Sequence, residues 1–210
     1  MSRLRYNWAE ARGHLREACP QLCAFIDGFG AARYAVRSEG DLFRALARSI
    51  AYQQLSGKAA ATIHGRFEEL FTDHRPNAPE ALELGIAGLR SVGLSQGKAL
   101  SILDLAAKTV SRQLPPSRRL GRMSDPQVIE RLCQVRGVGP WTAQMHLIFY
   151  LGRPDVMPAT DLGVQKGVRN VYALDALPGP EETLARTRHL APFRSAAAWY
   201  FWRASETVTP

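Results

Sequence analysis

Cysteine is scarce in this sequence, and it is not paired. Cys19, Cys23 and Cys133 are an odd number, which excludes a disulfide framework and leaves them as reduced thiols. Cys19 and Cys23 have no second Cys or His pair close by, so a four-ligand metal site at these thiols cannot close. Hydrophobic residues make up 46% of the 210 positions, yet no run approaches the roughly 18 apolar residues of a membrane span. Fixed-period repeats, low-complexity tracts and Gly/Ser linkers are also missing, which excludes solenoids and flexibly tethered domains. Strand-like alternation is nearly absent. Residues 31–36 could hold a short strand, but nothing after them offers a convincing partner. Acids are the scarcer charge, 19 against 27 Lys and Arg, for a net charge of +8. Such a surplus suits a chain that sits on a polyanion, and composition alone does not separate nucleic acid from a membrane surface. The basic start, Met1 to Trp8, lacks the apolar run and cleavage site of an export signal, so a cytoplasmic location is expected, in the nucleoid if the source is bacterial.

What is present is helical periodicity. Apolar spacing predicts helices at 8–26, 41–53, 58–72, 95–113, 125–133, 140–151, 160–170, 181–190 and 193–206, with turn residues between them. The expected class is all-α. Two lobes are expected, 41–153 as a central one, and 1–40 with 154–210 as a second that completes a cleft around Asp161. Arg112, Arg118, Arg119, Arg122, Arg131 and Arg136 crowd one stretch that contains only Asp125 and Glu130 as acids. Alone, that stretch reads equally as a solvated charge run or a phosphate-binding face.

Beside it, Leu132-Cys133-Gln134-Val135-Arg136-Gly137-Val138-Gly139-Pro140-Trp141-Thr142-Ala143 joins two helices through a turn with two glycines around one aliphatic residue. That is a helix-hairpin-helix, spanning about 125–151. Gly137 and Gly139 permit backbone conformations that other residues resist and leave the amides uncovered. Pro140 suits the first turn of the second helix. The N–H groups of Gly137, Val138, Gly139, Trp141 and Thr142, at the positive end of that helix, form a candidate phosphate seat without base specificity. The backbone carbonyls of Cys133, Val135 and Val138 are candidates for holding a monovalent cation, Na+ or K+, that supports phosphate binding.

From the hairpin onward the chain resembles the helix-hairpin-helix, Gly/Pro-Asp superfamily of DNA glycosylases, and within it the 3-methyladenine DNA glycosylase II family. Gly152-Arg153-Pro154-Asp155-Val156-Met157-Pro158-Ala159-Thr160-Asp161-Leu162-Gly163-Val164-Gln165-Lys166-Gly167 is similar to the family's catalytic loop. Ser49-Ile50-Ala51-Tyr52-Gln53-Gln54-Leu55-Ser56-Gly57-Lys58-Ala59-Ala60 is similar to its DNA-wedging loop. Leu89 to Ser95 and Pro192 to Tyr200 also fit, so the resemblance covers most of 41–206. It implies a two-lobed helical glycosylase acting as a monomer on double-stranded DNA with damaged bases, in base excision repair. It makes Asp161 the catalytic carboxylate, Gln53, Gln54 and Leu55 the wedge, and Trp141, Trp202 and Tyr52 the base-pocket aromatics. At 210 residues the β-rich N-terminal domain of some relatives is not expected, and the four cysteines near the C-terminus that the iron–sulfur members need are missing from this sequence. Trp141 stands where the lyase members carry a lysine, so no Schiff base and no strand nicking are expected.

The residue types suit the chemistry. Alkylation at N3 or N7 makes a purine cationic and a good leaving group, and the sugar then develops oxocarbenium charge. A carboxylate near the anomeric carbon stabilises that charge and orients or deprotonates water. Electron-rich aromatic faces favour a cationic base over a neutral one. The base must first be flipped from the duplex, and something must fill the gap. Read only as local structure, Asp161 is a helix N-cap, the glutamines are connectors and the aromatics are core. Asp155 is expected to cap or brace the loop. Two other functions fit the same residues: a non-catalytic hairpin module that binds DNA, and a glycosylase of the superfamily directed at mismatched or oxidised bases.

Overall fold

The structure, a computed structural model, describes residues 4–30, 32–37, 41–55 and 57–206. Met1 to Arg3 of the basic N-terminus, Ala31 of the candidate strand, residue 40 at the expected lobe boundary and Ser56 of the wedge loop lie outside the described residues. The helices in chain order are α1 (Trp8–Ala18), α2 (Pro20–Phe29), α3 (Leu42–Tyr52), α4 (Gly57–Glu69), α5 (Ala78–Ser91), α6 (Gln96–Val110), α7 (Ser117–Leu120), α8 (Asp125–Leu132), α9 (Pro140–Phe149), α10 (Leu162–Val171), α11 (Pro180–Thr187) and α12 (Arg194–Glu206). There is no strand among the described residues. The fold is all-α.

Two expectations are corrected by proline and glycine. The helix expected over 8–26 is two helices, because Pro20 has no N–H to continue the ladder and holds Cys19 extended at φ −141°. The segment 78–91, not expected to be helical, forms α5, broken internally where Gly85 takes φ 59°. Its buried residues are Ala78, Ala81 and Leu89, while Leu82 and Ile86 are exposed, so the apolar pattern never marked a single face. Residues 32–37 run extended without a strand partner, and the Arg37 N–H donates to the Phe149 carbonyl at 2.7 Å.

The chain forms two compact units, residues 1–38 with 147–210, and residues 39–146. In the first, Asn7 caps α1 by accepting from the Ala9 and Glu10 amides at 2.8 and 3.3 Å. Leu15, Leu22, Ile26, Tyr200 and Phe201 are fully buried, each contributing about 1.5–3 kcal/mol of apolar burial. Trp8 packs edge-on against Trp199 at 5.6 Å and stacks on Tyr200 at 5.9 Å. α10 lies directly against α12, because a side chain at Gly167 would overlap the carbonyl of Phe201.

In the second unit α3 buries Leu42, Phe43, Leu46, Ala47, Ile50 and Ala51. That spacing is the one the sequence displayed. α6 packs beside it through Ala99, Ile102, Leu105 and Ala106. α8 opens with a reciprocal capping box between Ser124 and Gln127, which fixes where the hairpin's first helix begins. No helix among the described residues is long and apolar enough to cross a membrane.

Candidate active site

In the first unit a short loop delivers Asp161 to the start of α10. The loop is tied to the start of α12 by side-chain and backbone hydrogen bonds. Asp155 accepts from Arg194 through Nε at 2.6 Å and Nη2 at 2.8 Å. The Val156 amide donates to Ser195 Oγ at 3.0 Å, and the Ser195 amide donates to the Pro154 carbonyl at 2.9 Å. Burial opposes ionisation of Asp155, but the hydrogen bonds and charge of Arg194 outweigh it and hold the carboxyl below its ordinary range. Asp155 is therefore a brace for the loop. Further along, the buried Gln165 amide donates to the Ala159 carbonyl at 2.8 Å, closing the loop on α10.

Asp161 is half-buried and N-caps α10, with Oδ1 accepting from the Val164 amide at 2.9 Å. The same oxygen accepts from Trp202 Nε1 at 2.8 Å. Trp202 in turn stacks on Phe149, with ring centroids 5.6 Å apart and planes tilted by 27°. Gly163 makes room for this indole, since a Cβ there would lie 2.9 Å from Trp202 Cδ1. Two N–H donors thus converge on Asp161 Oδ1 and set the direction of the carboxylate. The cap reading and a reactive carboxylate are compatible here. Leu162, next to it in the chain, is a large apolar residue that is 53% exposed.

In the second unit the hairpin turn runs from the end of α8 to Pro140. Gly137 takes φ 72°, and a Cβ there would meet Ser101 Oγ at 2.6 Å, so this position requires glycine twice over. Gly139 does not. It takes no positive φ and faces open space, so the backbone conformation does not require glycine here. The Val138 amide already donates to the Val135 carbonyl at 3.0 Å, and the Val138 side chain is buried as the anchor of the turn. The first amides of α9, Trp141 and Thr142 among them, point along the helix axis. Carbonyl oxygens of Cys133, Val135 and Val138 are hard donors that fit a monovalent cation. The Val135 oxygen keeps one lone pair beyond its bond to Val138.

Of the expected wedge, Gln53 ends α3 and its Nε2 donates to the Gly137 carbonyl at 2.9 Å and to Thr142 Oγ1 at 3.3 Å. Gln54 follows at φ 55°, and Leu55 is 38% exposed. Tyr52 is half-buried, with the Arg48 guanidinium 4.2 Å above its ring and His64 edge-on at 5.7 Å. Trp141 is 40% exposed on α9. The structure thus joins Asp161 with Trp202 in one unit, and Gln53 with Gly137 and Thr142 in the other. Sequence reasoning missed Phe149 beneath Trp202, Arg48 over Tyr52 and the space-making Gly163. Only Gly163 carried a signal, as a glycine inside a helical pattern.

A family model for HhH-GPD superfamily base excision DNA repair proteins matches residues 47–192. The chain is similar to DNA-3-methyladenine glycosylase 1 of Schizosaccharomyces pombe, 38% identical over 165 residues that cover 78% of this chain and 72% of that protein. In three dimensions it is similar to the Schizosaccharomyces pombe 3-methyladenine DNA glycosylase in complex with abasic DNA, with a TM-score of 0.83, 34% identity, and 95% and 98% of the two chains covered. A Bacillus halodurans DNA-3-methyladenine glycosidase gives 0.82 at 29% identity, covering 94% and 89%. The hairpin and the capped carboxylate both fall inside the matched span, and the chain belongs to the HhH-GPD superfamily of base excision DNA repair proteins.

Proposed function

We propose that this protein is a monofunctional DNA glycosylase that removes alkylated purines of the 3-methyladenine type from duplex DNA by flipping the base and hydrolysing its N-glycosidic bond. One observation carries the reading. The carboxylate of Asp161 accepts from Trp202 Nε1 and from the Val164 amide at the N-terminus of α10, which fixes its direction. The kinship with 3-methyladenine glycosylases supports the choice of lesion.

In this mechanism the bond between C1′ and the purine nitrogen breaks, and the electron pair leaves with the base. Its alkyl-derived positive charge is thereby neutralised. Positive charge develops on the sugar opposite Asp161, which stabilises it electrostatically. Water then bonds to C1′, and its proton passes to Asp161 and on to solvent. The products are a free base and an abasic site in an intact strand. Trp202 offers an aromatic face to a cationic base, with Trp141 and Tyr52 as further aromatic candidates. Gly137, Gly139, Trp141 and Thr142 grip phosphate, and a cation at the carbonyls of Cys133, Val135 and Val138 would stiffen that grip without entering the reaction. The protein works as a cytoplasmic monomer.

The test is incubation with alkylated duplex DNA and identification of every base released. Release of 3-methyladenine is the expected result. Release of only mismatched or oxidised bases would move the chain to another specificity of the superfamily, and release of none, with binding intact, would make it a DNA-binding module.

A further inference from the structure

The two donors of the Gln53 side-chain amide are both committed inside the protein, one to the Gly137 carbonyl and one to the Thr142 hydroxyl. Thr142 is buried, so this amide is turned toward the hairpin. The very next residue, Gln54, is held in left-handed backbone at φ 55°, a conformation that costs a non-glycine residue on the order of 1 kcal/mol and persists only where its surroundings impose it. The segment before it and the hairpin are both anchored on α6. Lys98 Nζ donates to the Ala51 carbonyl at 2.8 Å and secures the last turn of α3. From the same helix α6, Asp104 Oδ2 accepts from the Arg136 amide at 2.8 Å, and Ser101 packs under Gly137. Loop and hairpin therefore share one frame, and Gln53 is the direct link between them.

We propose that Gln53 is a positioning residue and not part of the wedge: it fixes the Gln54–Leu55 turn to the phosphate-gripping hairpin, so that seating the DNA backbone places the wedge in register with the base to be flipped. This rests on the reading of the chain as a duplex glycosylase. Extruding a base costs a few kcal/mol, and a wedge that arrives already oriented does not add its own ordering to that cost.

The experiment measures single-turnover release of one alkylated base from a paired duplex and from the same sequence with the lesion in an unpaired bubble, alongside binding to undamaged duplex and thermal melting. Parent activity on either substrate establishes the glycosylase reading whatever the Gln53 variants do, and its absence on both removes that reading and this one together. Gln53→Met keeps the length of the side chain and loses both donors. It should slow release from paired duplex by on the order of tenfold or more, while bubble release and undamaged-duplex binding stay within about twofold of parent and melting is retained. Gln53→Leu, which is neutral and also lacks both donors, should behave alike and serves if the Met variant does not fold. Combined with Gln54→Ala, the loss should be clearly less than the product of the two single losses, because a wedge already removed gains nothing from being placed. Losses that multiply, an equal loss on bubble and duplex, or parent-like release from paired duplex would each overturn the proposal.

Discussion

Trp202 Nε1 and the Val164 amide converge on the same oxygen of Asp161, at 2.8 and 2.9 Å. One atom thereby caps a helix and receives an indole, and in the proposed mechanism it is the charge of this carboxylate that acts. Asp161→Asn leaves an oxygen able to accept both bonds, so melting should match the parent. Single-turnover release of 3-methyladenine should fall by on the order of a hundredfold or more, because the oxocarbenium charge loses its counter-charge. Parent-rate release by a folded Asn variant would move the chemistry to another acid.

Trp202→Phe separates the two duties of that residue. The ring stacked on Phe149 is kept and the donor to Asp161 is lost. A hydrogen bond to a charged group is worth about 1.5–3 kcal/mol, so the chemical step should slow by roughly tenfold to a hundredfold, with little change in binding of damaged DNA. A loss confined to binding would show that only the ring face matters.

Asp155→Asn should destabilise the protein in a pH-dependent way. The folded carboxyl is held below its ordinary value, so its stabilisation is complete above the unfolded value of about 3.9 and is lost as pH falls through the lower folded one. The variant should be less stable by on the order of 1–3 kcal/mol at pH 7, with the gap closing toward pH 3. Denaturation midpoints of parent and variant across that range decide it, and a constant gap would contradict it.

His146 gives a pH signal of the same sign in a higher window. Burial pushes its imidazolium down to about 4, below the unfolded value of about 6.5. Between these values the unfolded chain binds the extra proton, so stability rises with pH and is lost on acidification through this window. Stability at pH 5 should be lower than at pH 7 by about 2 kcal/mol from this residue alone. In His146→Leu the slope between pH 5 and 7 should flatten, whatever the absolute stability of the variant. An unchanged slope would assign the pH dependence elsewhere.

Trp141 predicts the form of the product. Without an amine at this position no Schiff base forms with the sugar, so product strands should stay intact until treated with alkali. Borohydride trapping of a covalent complex between protein and DNA would contradict this.

The helical class was legible from periodicity, and the two chemical motifs from their local spelling. Asp161 could be picked out because its neighbours Pro158, Thr160 and Gly163 surround it in chain order. Its partner Trp202 was legible only as an aromatic, since the bond joining them spans 41 residues and leaves no local pattern. Gln53 shows the same limit from the other side. In the sequence it is a twin of Gln54, and only the fold, by bringing Gly137 within 2.9 Å of its amide, gives the two different work. α5 was hidden because Gly85 interrupts it and half its apolar residues face out.

Gly163 and Gly167 line the side of α10 that meets α12, where a Cβ would strike Trp202 at the first and the backbone of Phe201 at the second. The second collision is with main chain, which no choice of rotamer relieves. For anyone recasting the lesion preference by directed evolution, these two positions are closed. A library that randomises α10 uniformly will lose most of its members to misfolding before specificity is ever sampled. Diversity is better placed at Leu162, exposed and next to Asp161 in the chain, where a new side chain leaves the packing of α10 on α12 undisturbed.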